Sequence, residues 1–299
     1  MSGALPRLFV SLVAAAAAST AHAGVSVVVD DPNTATATIS LTSPSGSEYD
    51  AVVTLSFDQA VNLSAGSLGL SAELIDPASP PAVLPVGVSV DPAFPVLISI
   101  EPPVATFRNG YETDQIGDGN LAFFNTYQIE VHTADLACSS TKSPYRLYKA
   151  PHGSTTFADV TDDVLSGSVR ARGRGGAFSQ FLVVKDKQAS LLVATAKLAN
   201  LSTRLLASTL DGTLLATLTS LLATVSTDLL TLNIAGAIDA LDTFIADVTA
   251  ASSAGEIANE WVAGGALSND AGDLLSLAQT LRFTLLSLEG SPLCQPPPP

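Results

Sequence analysis

The chain has 299 residues, 47% of them hydrophobic, and a formal net charge of −15 from 28 acidic and 13 basic side chains. That apolar fraction supports a real core and excludes wholesale disorder, and the charge argues against nucleic acid or an anionic membrane surface as a partner. With 2 cysteines far apart and 3 histidines without metal-ligand spacing, neither a metal nor another cofactor is expected.

Residues 1–23 read as a signal peptide. Arg7 is the basic n-region, Leu8 to Ala18 the apolar h-region, and Ala21-His22-Ala23 the small-residue cleavage signal, so the cut is expected before Gly24. The apolar run is too short for a permanent span, and no membrane span is expected after its removal. The product is therefore expected to be exported, to the periplasm or the extracellular space. An oxidising compartment allows a disulfide between Cys138 and Cys294, the alternative being two separate free thiols. The bridge would close a long loop and add about 5 kcal/mol at most.

From Gly24 to about Val184 the apolar residues alternate. Val25, Val27 and Val29 begin the pattern, and Thr34, Thr36 and Thr38 lead into Ile39 and Leu41. Val53, Leu55 and Phe57 continue it, then Val86, Val88 and Val90, then Val96, Ile98 and Ile100, then Tyr127, Ile129 and Val131. Such β-branched and aromatic runs, divided by Pro, Gly, Asn and Asp clusters, predict an antiparallel Ig-like β-sandwich over 24–184. The Pro-rich stretch 77–103 suits edge strands and loops, since proline cannot donate to a central ladder. Ser168–Arg172 and Ala177–Val184 read as a hairpin turning at Arg174-Gly175-Gly176.

After Lys185-Asp186-Lys187 the period becomes helical. Leu198, Leu201 and Leu205 form one stripe, and Leu214, Leu218, Leu221, Val225 and Leu229 a second. Ile234, Ile238, Leu241, Ile245 and Val248 form a third, and Leu274, Ala278, Leu281, Leu285 and Leu288 a fourth. Asn233 is the expected cap of the third helix and Ser268 of the last, with a short helix around Glu256–Ala263 between them. The uncharged run from Gly212 to Thr227 reads as a packed helix. A C-terminal antiparallel helical bundle is thus expected over 188–290, the alternative for its Leu-, Ala-, Ser- and Thr-rich first two helices being a partly disordered stalk, followed by a Pro-rich tail at 291–299, and the fold class is α+β, multidomain.

Two candidate sites emerge. Arg170, Arg172 and Arg174 share one side of the expected hairpin. They suit an anion, or simply ion pairs with carboxylates such as Asp159, Asp162 and Asp163. Glu112, Asp114, Asp118 and Asn120 form an acidic loop whose oxygens suit calcium, although their spacing is not that of an EF-hand and a solvated loop is the ordinary alternative. His132 lies in a strand pattern and His152 in a turn, and no catalytic motif surrounds either. A Ser–His–Asp triad is defined by geometry, so it could only assemble in space. Trp261 reads as a plug in the helical core.

Pro144–Ala150, Phe157–Thr161 and Gly167–Leu182, with the Arg-x-Arg-Gly-x-x-Gly-x-Phe-Ser pattern absent elsewhere in the chain, resemble a region of uncharacterised exported proteobacterial proteins of unknown function. Leu241–Val248 followed by Ala271–Leu275 resembles the FIMAH-type helical module of secreted bacterial proteins, departing from it in the Trp261-containing segment between. Neither resemblance implies a catalytic residue. The expected function is non-enzymatic: binding or adhesion to a protein or glycan, or a structural role with self-association through the bundle. A secreted hydrolase acting on extracellular polymer is the alternative.

Overall fold

The computed structural model describes residues 23–81, 83–104, 119–138, 143–151, 154, 156–165, 167–265 and 268–288, with the backbone alone for Ala23 and Cys138. The Cys138–Cys294 pairing, His152 and the acidic residues Glu112, Asp114 and Asp118 lie outside what is described.

The chain is α+β. It opens with β1 (Ala23–Asp31), β2 (Thr34–Thr42), β3 (Glu48–Val61), the single-turn α1 (Ala65–Leu68) and β4 (Leu70–Leu74). Then come β5 (Val88–Val90), β6 (Val96–Ile100), β7 (Ala122–Cys138), β8 (Tyr145–Ala150) and β9 (Ala158–Asp159). β10 (Thr161–Leu165), β11 (Gly167–Gly175) and β12 (Gln180–Asp186) end the strand-rich part. α2 (Ser190–Ala207), α3 (Gly212–Leu230) and α4 (Ile234–Ser253) follow, then β13 (Glu260–Val262) and α5 (Asp270–Leu288).

The strands form two sheets with antiparallel ladders. One runs β1-β2-β3-β7-β11-β10, with β13 added to β7; the other runs β4-β6-β12-β8-β9, with β5 on β12. Alternation places Ile39, Leu41, Val53, Leu55, Ile129 and Val131 of the first sheet in one core with Val96, Ile98, Leu147, Phe181 and Val183 of the second. The four long helices enclose a separate core around Leu201, Leu218, Val225, Leu241, Phe244, Leu274 and Leu281. Each buries most of the stripe that its spacing predicts, with Leu214, Leu221, Ile234, Ile245 and Leu288 half-buried at its margin and Leu222 and Phe244 taking core places that the stripes do not include. α3 is the exception in degree. It is long and apolar enough to cross a membrane, yet only 22% of that window is buried, because Thr213, Ala216, Thr217, Ser220, Thr224 and Thr227 line its open side.

Five local expectations are corrected. Ser168–Arg172 and Ala177–Val184 are no hairpin: β11 pairs with β7 and β10, while β12 pairs with β8, β6 and β5 in the other sheet. The glycines let the chain cross between sheets, and the crossing is pinned at Ala177, whose carbonyl accepts from Tyr127 Oη at 2.9 Å and Lys149 Nζ at 2.6 Å. The segment expected as a short helix instead supplies β13, whose residues 260–262 pair with 122–124 of β7. Trp261 consequently leaves the helical core. It stacks on Phe123 at 5.2 Å and meets Phe178 edge-on at 5.0 Å, closing an aromatic cluster with Phe57 and Tyr127. Asn233 caps α4 through Gly236 N, but α5 is capped one residue later than expected, by Asn269 Oδ1 on Gly272 N at 2.9 Å. Val86 lies outside any strand and is exposed.

The helical part meets the sheets through a bulge in β7. Residues 125 and 126 face the single residue Asp58 of β3, and Asn125 takes φ 55°. Around Asn125 converge Asn259 O (2.6 Å from Asn125 N), Ser252 Oγ (2.6 Å from Asn125 Oδ1) and Asn269 Nδ2 (2.6 Å from Asn125 O). A loop, α4 and the start of α5 are thus tied to one strand.

Candidate functional site

Strand register builds the site. On the outer face of the larger sheet, Val52, His132 and Arg170 stand side by side across β3, β7 and β11. The next row is Thr54, Glu130, Arg172 and Asp163, and the third is Ser56, Gln128 and Arg174. A bulge in β10 between Thr161 and Asp163 makes Asp162 an extra residue. It re-aims that side chain, so consecutive aspartates serve consecutive arginines on one face.

The ladder is closed on itself. Arg170 Nη1 lies 3.3 Å from Glu130 Oε1, and Arg172 Nε 2.6 Å from Glu130 Oε2. Arg172 Nη1 also reaches Asp163 Oδ2 at 3.4 Å, and Arg174 Nε reaches Asp162 Oδ2 at 2.8 Å. Asp159 is not among these partners; it pairs with Lys197. Burial pushes the carboxyls of Asp162 and Asp163 up, against the pull of Arg174 and Arg172 respectively. The second oxygen of Asp162 is buried, and the Gln128 side chain in the same row draws this carboxyl down alongside Arg174. Beside the ladder is a cleft of about 230 Å³ lined by Thr54, Ser56, Gln128, Glu130 and Arg172. A second cleft of about 200 Å³, touching Asp58, Thr126 and Arg174, runs under α4 and α5.

The same face brings together two residues 36 positions apart: His132 Nε2 lies 2.7 Å from Ser168 Oγ. Burial lowers the pKa of His132, and Arg170 lowers it further while Glu130 opposes. A neutral imidazole against a hydroxyl is the first half of a nucleophile–base pair. Nothing in local sequence foretells it, because only the β7–β11 register creates the contact. Of the acidic loop, Asn120 is described: it is buried, and its carbonyl accepts from Asn62 Nδ2 at 2.9 Å. Among the described residues no group of three or more His, Cys, Asp or Glu is placed to hold a metal ion.

Inside the sheets, Lys149 Nζ and Tyr127 Oη share the Ala177 carbonyl, and the ammonium lies 5.8 Å from the Tyr127 ring centre. Burial pushes Lys149 down to about 8, with the Asp273 charge opposing, and burial raises Tyr127 well above its ordinary value. Between pH 8 and the ordinary lysine value the unfolded chain holds more protons than the folded one. Stability should therefore rise with pH there, by at most ~1.4 kcal/mol per unit. Above pH 10 the folded phenol of Tyr127 keeps a proton that the unfolded chain loses, so the trend should reverse. Denaturant midpoints across this range check it, and Lys149→Met should flatten the rise, leaving only the part that buried Lys197 contributes.

A different surface lies between α2 and α3. There a groove of about 390 Å³ is lined by Thr195, Leu198, Ala199, Ser202, Leu205, Leu206, Thr219, Leu222, Ala223 and Ser226, none of them charged. Thr195 and Ser202 donate their hydroxyls to the carbonyls of Leu191 and Leu198 on their own helix. Their polar atoms are thereby satisfied within the helix, and the groove is apolar in character.

No curated protein and no solved structure matches this chain. One family does, over residues 8–289 and hence both sheets and all the helices, and the chain belongs to it: the Family of unknown function (DUF6689).

Proposed function

We propose that this is an exported, non-enzymatic binding protein. In this reading residues 1–23 are removed, the two sheets form an Ig-like sandwich, and the four long helices form an antiparallel bundle that presents the binding surface. The observation that supports it most is the division of labour between the two faces. The charged sheet face spends its arginines on Glu130, Asp162 and Asp163, which makes it scaffold. The α2–α3 groove is uncharged, concave and within the size range of ligand sites. Its aliphatic and hydroxyl lining, with no aromatic ring, suits an apolar group of a protein partner better than a glycan, which would call for stacking.

An environment-sensitive apolar dye tests the groove. It should brighten on the wild-type protein and fail to do so on Ala199→Trp and Ala223→Trp, which fill the groove without touching the bundle core. Unchanged binding in both variants would defeat the assignment.

The hydrolase alternative has one observation in its favour, the 2.7 Å contact between His132 and Ser168. A fluorophosphonate probe decides between the two. The binding reading expects no label on Ser168; stoichiometric labelling, lost in Ser168→Ala and His132→Gln, would replace it with the hydrolase.

A further inference from the structure

Sheet edges expose unpaired backbone N–H and C=O groups, and folded proteins guard them with short strands, bulges, charge or proline. Three edges here are guarded in that way. β10 has five residues, a bulge, and Asp162 and Asp163. β4 has five residues and β9 only two. β1 is different. It has nine residues, AGVSVVVDD, pairs only with β2 among the described residues, and leaves Val28 58% exposed. It contains no lysine and no proline, and its only bulge lies at the Asp30 end.

We propose that β1 is a self-association edge, pairing antiparallel with β1 of a second copy of this chain and joining two β1-β2-β3-β7-β11-β10 sheets into one. The strand is self-complementary. An antiparallel pair centred on Val27 sets Val25 opposite Val29 of the second copy, with all of these on the inner, half-buried face that already packs on the core. Ser26 then meets Val28 on the outer face. Parity is preserved, so no side chain is forced to the wrong side of the sheet.

Charge decides the direction. Both acids lie at one end of β1. A parallel pair would set Asp30 and Asp31 against their own copies, whereas the antiparallel pair separates the two Asp30 side chains by about 20 Å, six residues of strand. That exceeds the Debye length of about 8 Å at physiological salt. The antiparallel register also brings Asp30 of each chain opposite Gly24 of the other. Export would leave an α-ammonium there, so each end of the pair would join a cation to the acidic end. This last contribution rests on the export reading; the edge pairing itself does not. An edge of eight or nine residues buries less than the ~1,200 Å² of a firm interface, so the dimer forms and dissociates with concentration.

The test uses the protein purified after export, with its first residue read by intact mass. Sedimentation velocity from micromolar to near-millimolar concentration should show a monomer–dimer equilibrium, and amide exchange in residues 24–29 should slow as the dimer fills. Under mild oxidation, Val27→Cys should give a 27–27 linked dimer, or a mixture of Ser26→Cys and Val28→Cys chains a 26–28 linked one. Val29→Cys alone should give none, because its partner is Val25. A protein that stays monomeric throughout, or a dimer whose exchange protection and cross-links map to the α2–α3 groove or elsewhere, would overturn the assignment. A chain that does not start at Gly24 but still dimerises through β1 would leave it standing and remove only the ammonium contribution and the export reading.

Discussion

Replacing Lys197 with methionine should destabilise the protein by about 3–5 kcal/mol, the usual consequence of removing one partner of a buried ion pair. Lys197 Nζ lies 2.7 Å from Asp159 Oδ2, and both side chains are only 5% exposed. The ammonium also donates to Thr280 O at 3.1 Å, Thr280 Oγ1 at 2.6 Å and Thr284 Oγ1 at 3.0 Å. One side chain on α2 thus binds α5 and the sheet at once, and Thr280 Oγ1 passes the connection on to Thr161 O at 2.8 Å. Burial lowers the pKa of Lys197 and the Asp159 charge opposes that shift, so desolvation and attraction are close competitors. The pair therefore specifies how α2 and α5 dock more than it adds net stability. Its removal is costly because Asp159 is left charged and buried. Lys197→Met with Asp159→Asn should recover much of the loss, since the amide oxygen can still accept from Thr161 N as the carboxylate does at 2.8 Å. Thermal melts should place the single variant about 5–10 °C below wild type, with the double variant between. Equal loss in both would show that the energy lies in the lysine's packing and not in the stranded charge.

The sequence shows the elements more plainly than their connections. Alternation in β2, β3, β7 and β11 and the stripes of α2 to α5 are local consequences of which face is buried, so they can be read one segment at a time. The crossing between β11 and β12 cannot. Two alternating runs around Arg174-Gly175-Gly176 look like a hairpin, whereas the crossing between sheets is held by nonlocal contacts, Ala177 O on Tyr127 and Lys149 and Gly176 O on Asn269. Trp261 is similar. Its surroundings carry a weak helical pattern, but the aromatic cluster of Phe57, Phe123, Tyr127 and Phe178 is a better home, and extending β7 is how the chain reaches it. At the charged face, the arginines at 170, 172 and 174 were legible as one stripe because strand period is two. The role of Glu130 and the His132–Ser168 contact depend on the β7–β11 register, which no local signal encodes.

Gly272→Ala is expected to loosen the attachment of the helices to the sheets and to cost about 3 kcal/mol, the upper part of the range for overpacking. A methyl at this position would collide with the carbonyl oxygen of Asn125 and with the Asn269 amide. Neither can yield easily. The Asn125 carbonyl belongs to a bulge held from three sides, and Asn269 caps α5 while also donating to Asn125 O and Gly176 O. Alanine would gain about 1 kcal/mol of helix propensity over glycine, so the collision must outweigh a real benefit. Gly212→Ala, at the start of α3 with nothing near its added methyl, is the matched control and should be neutral or slightly stabilising. Trp261 is the only tryptophan in the chain and sits on Phe123 at the junction, so its fluorescence reports docking while far-ultraviolet circular dichroism reports helix content. In the wild type the two should unfold together, because the junction ties α4, β13 and α5 to β7. In Gly272→Ala the tryptophan signal should change first, at lower denaturant, with helix content following. A Gly272→Ala protein as stable as Gly212→Ala, with both signals still coincident, would mean that the Asn125 bulge does not hold the two parts together.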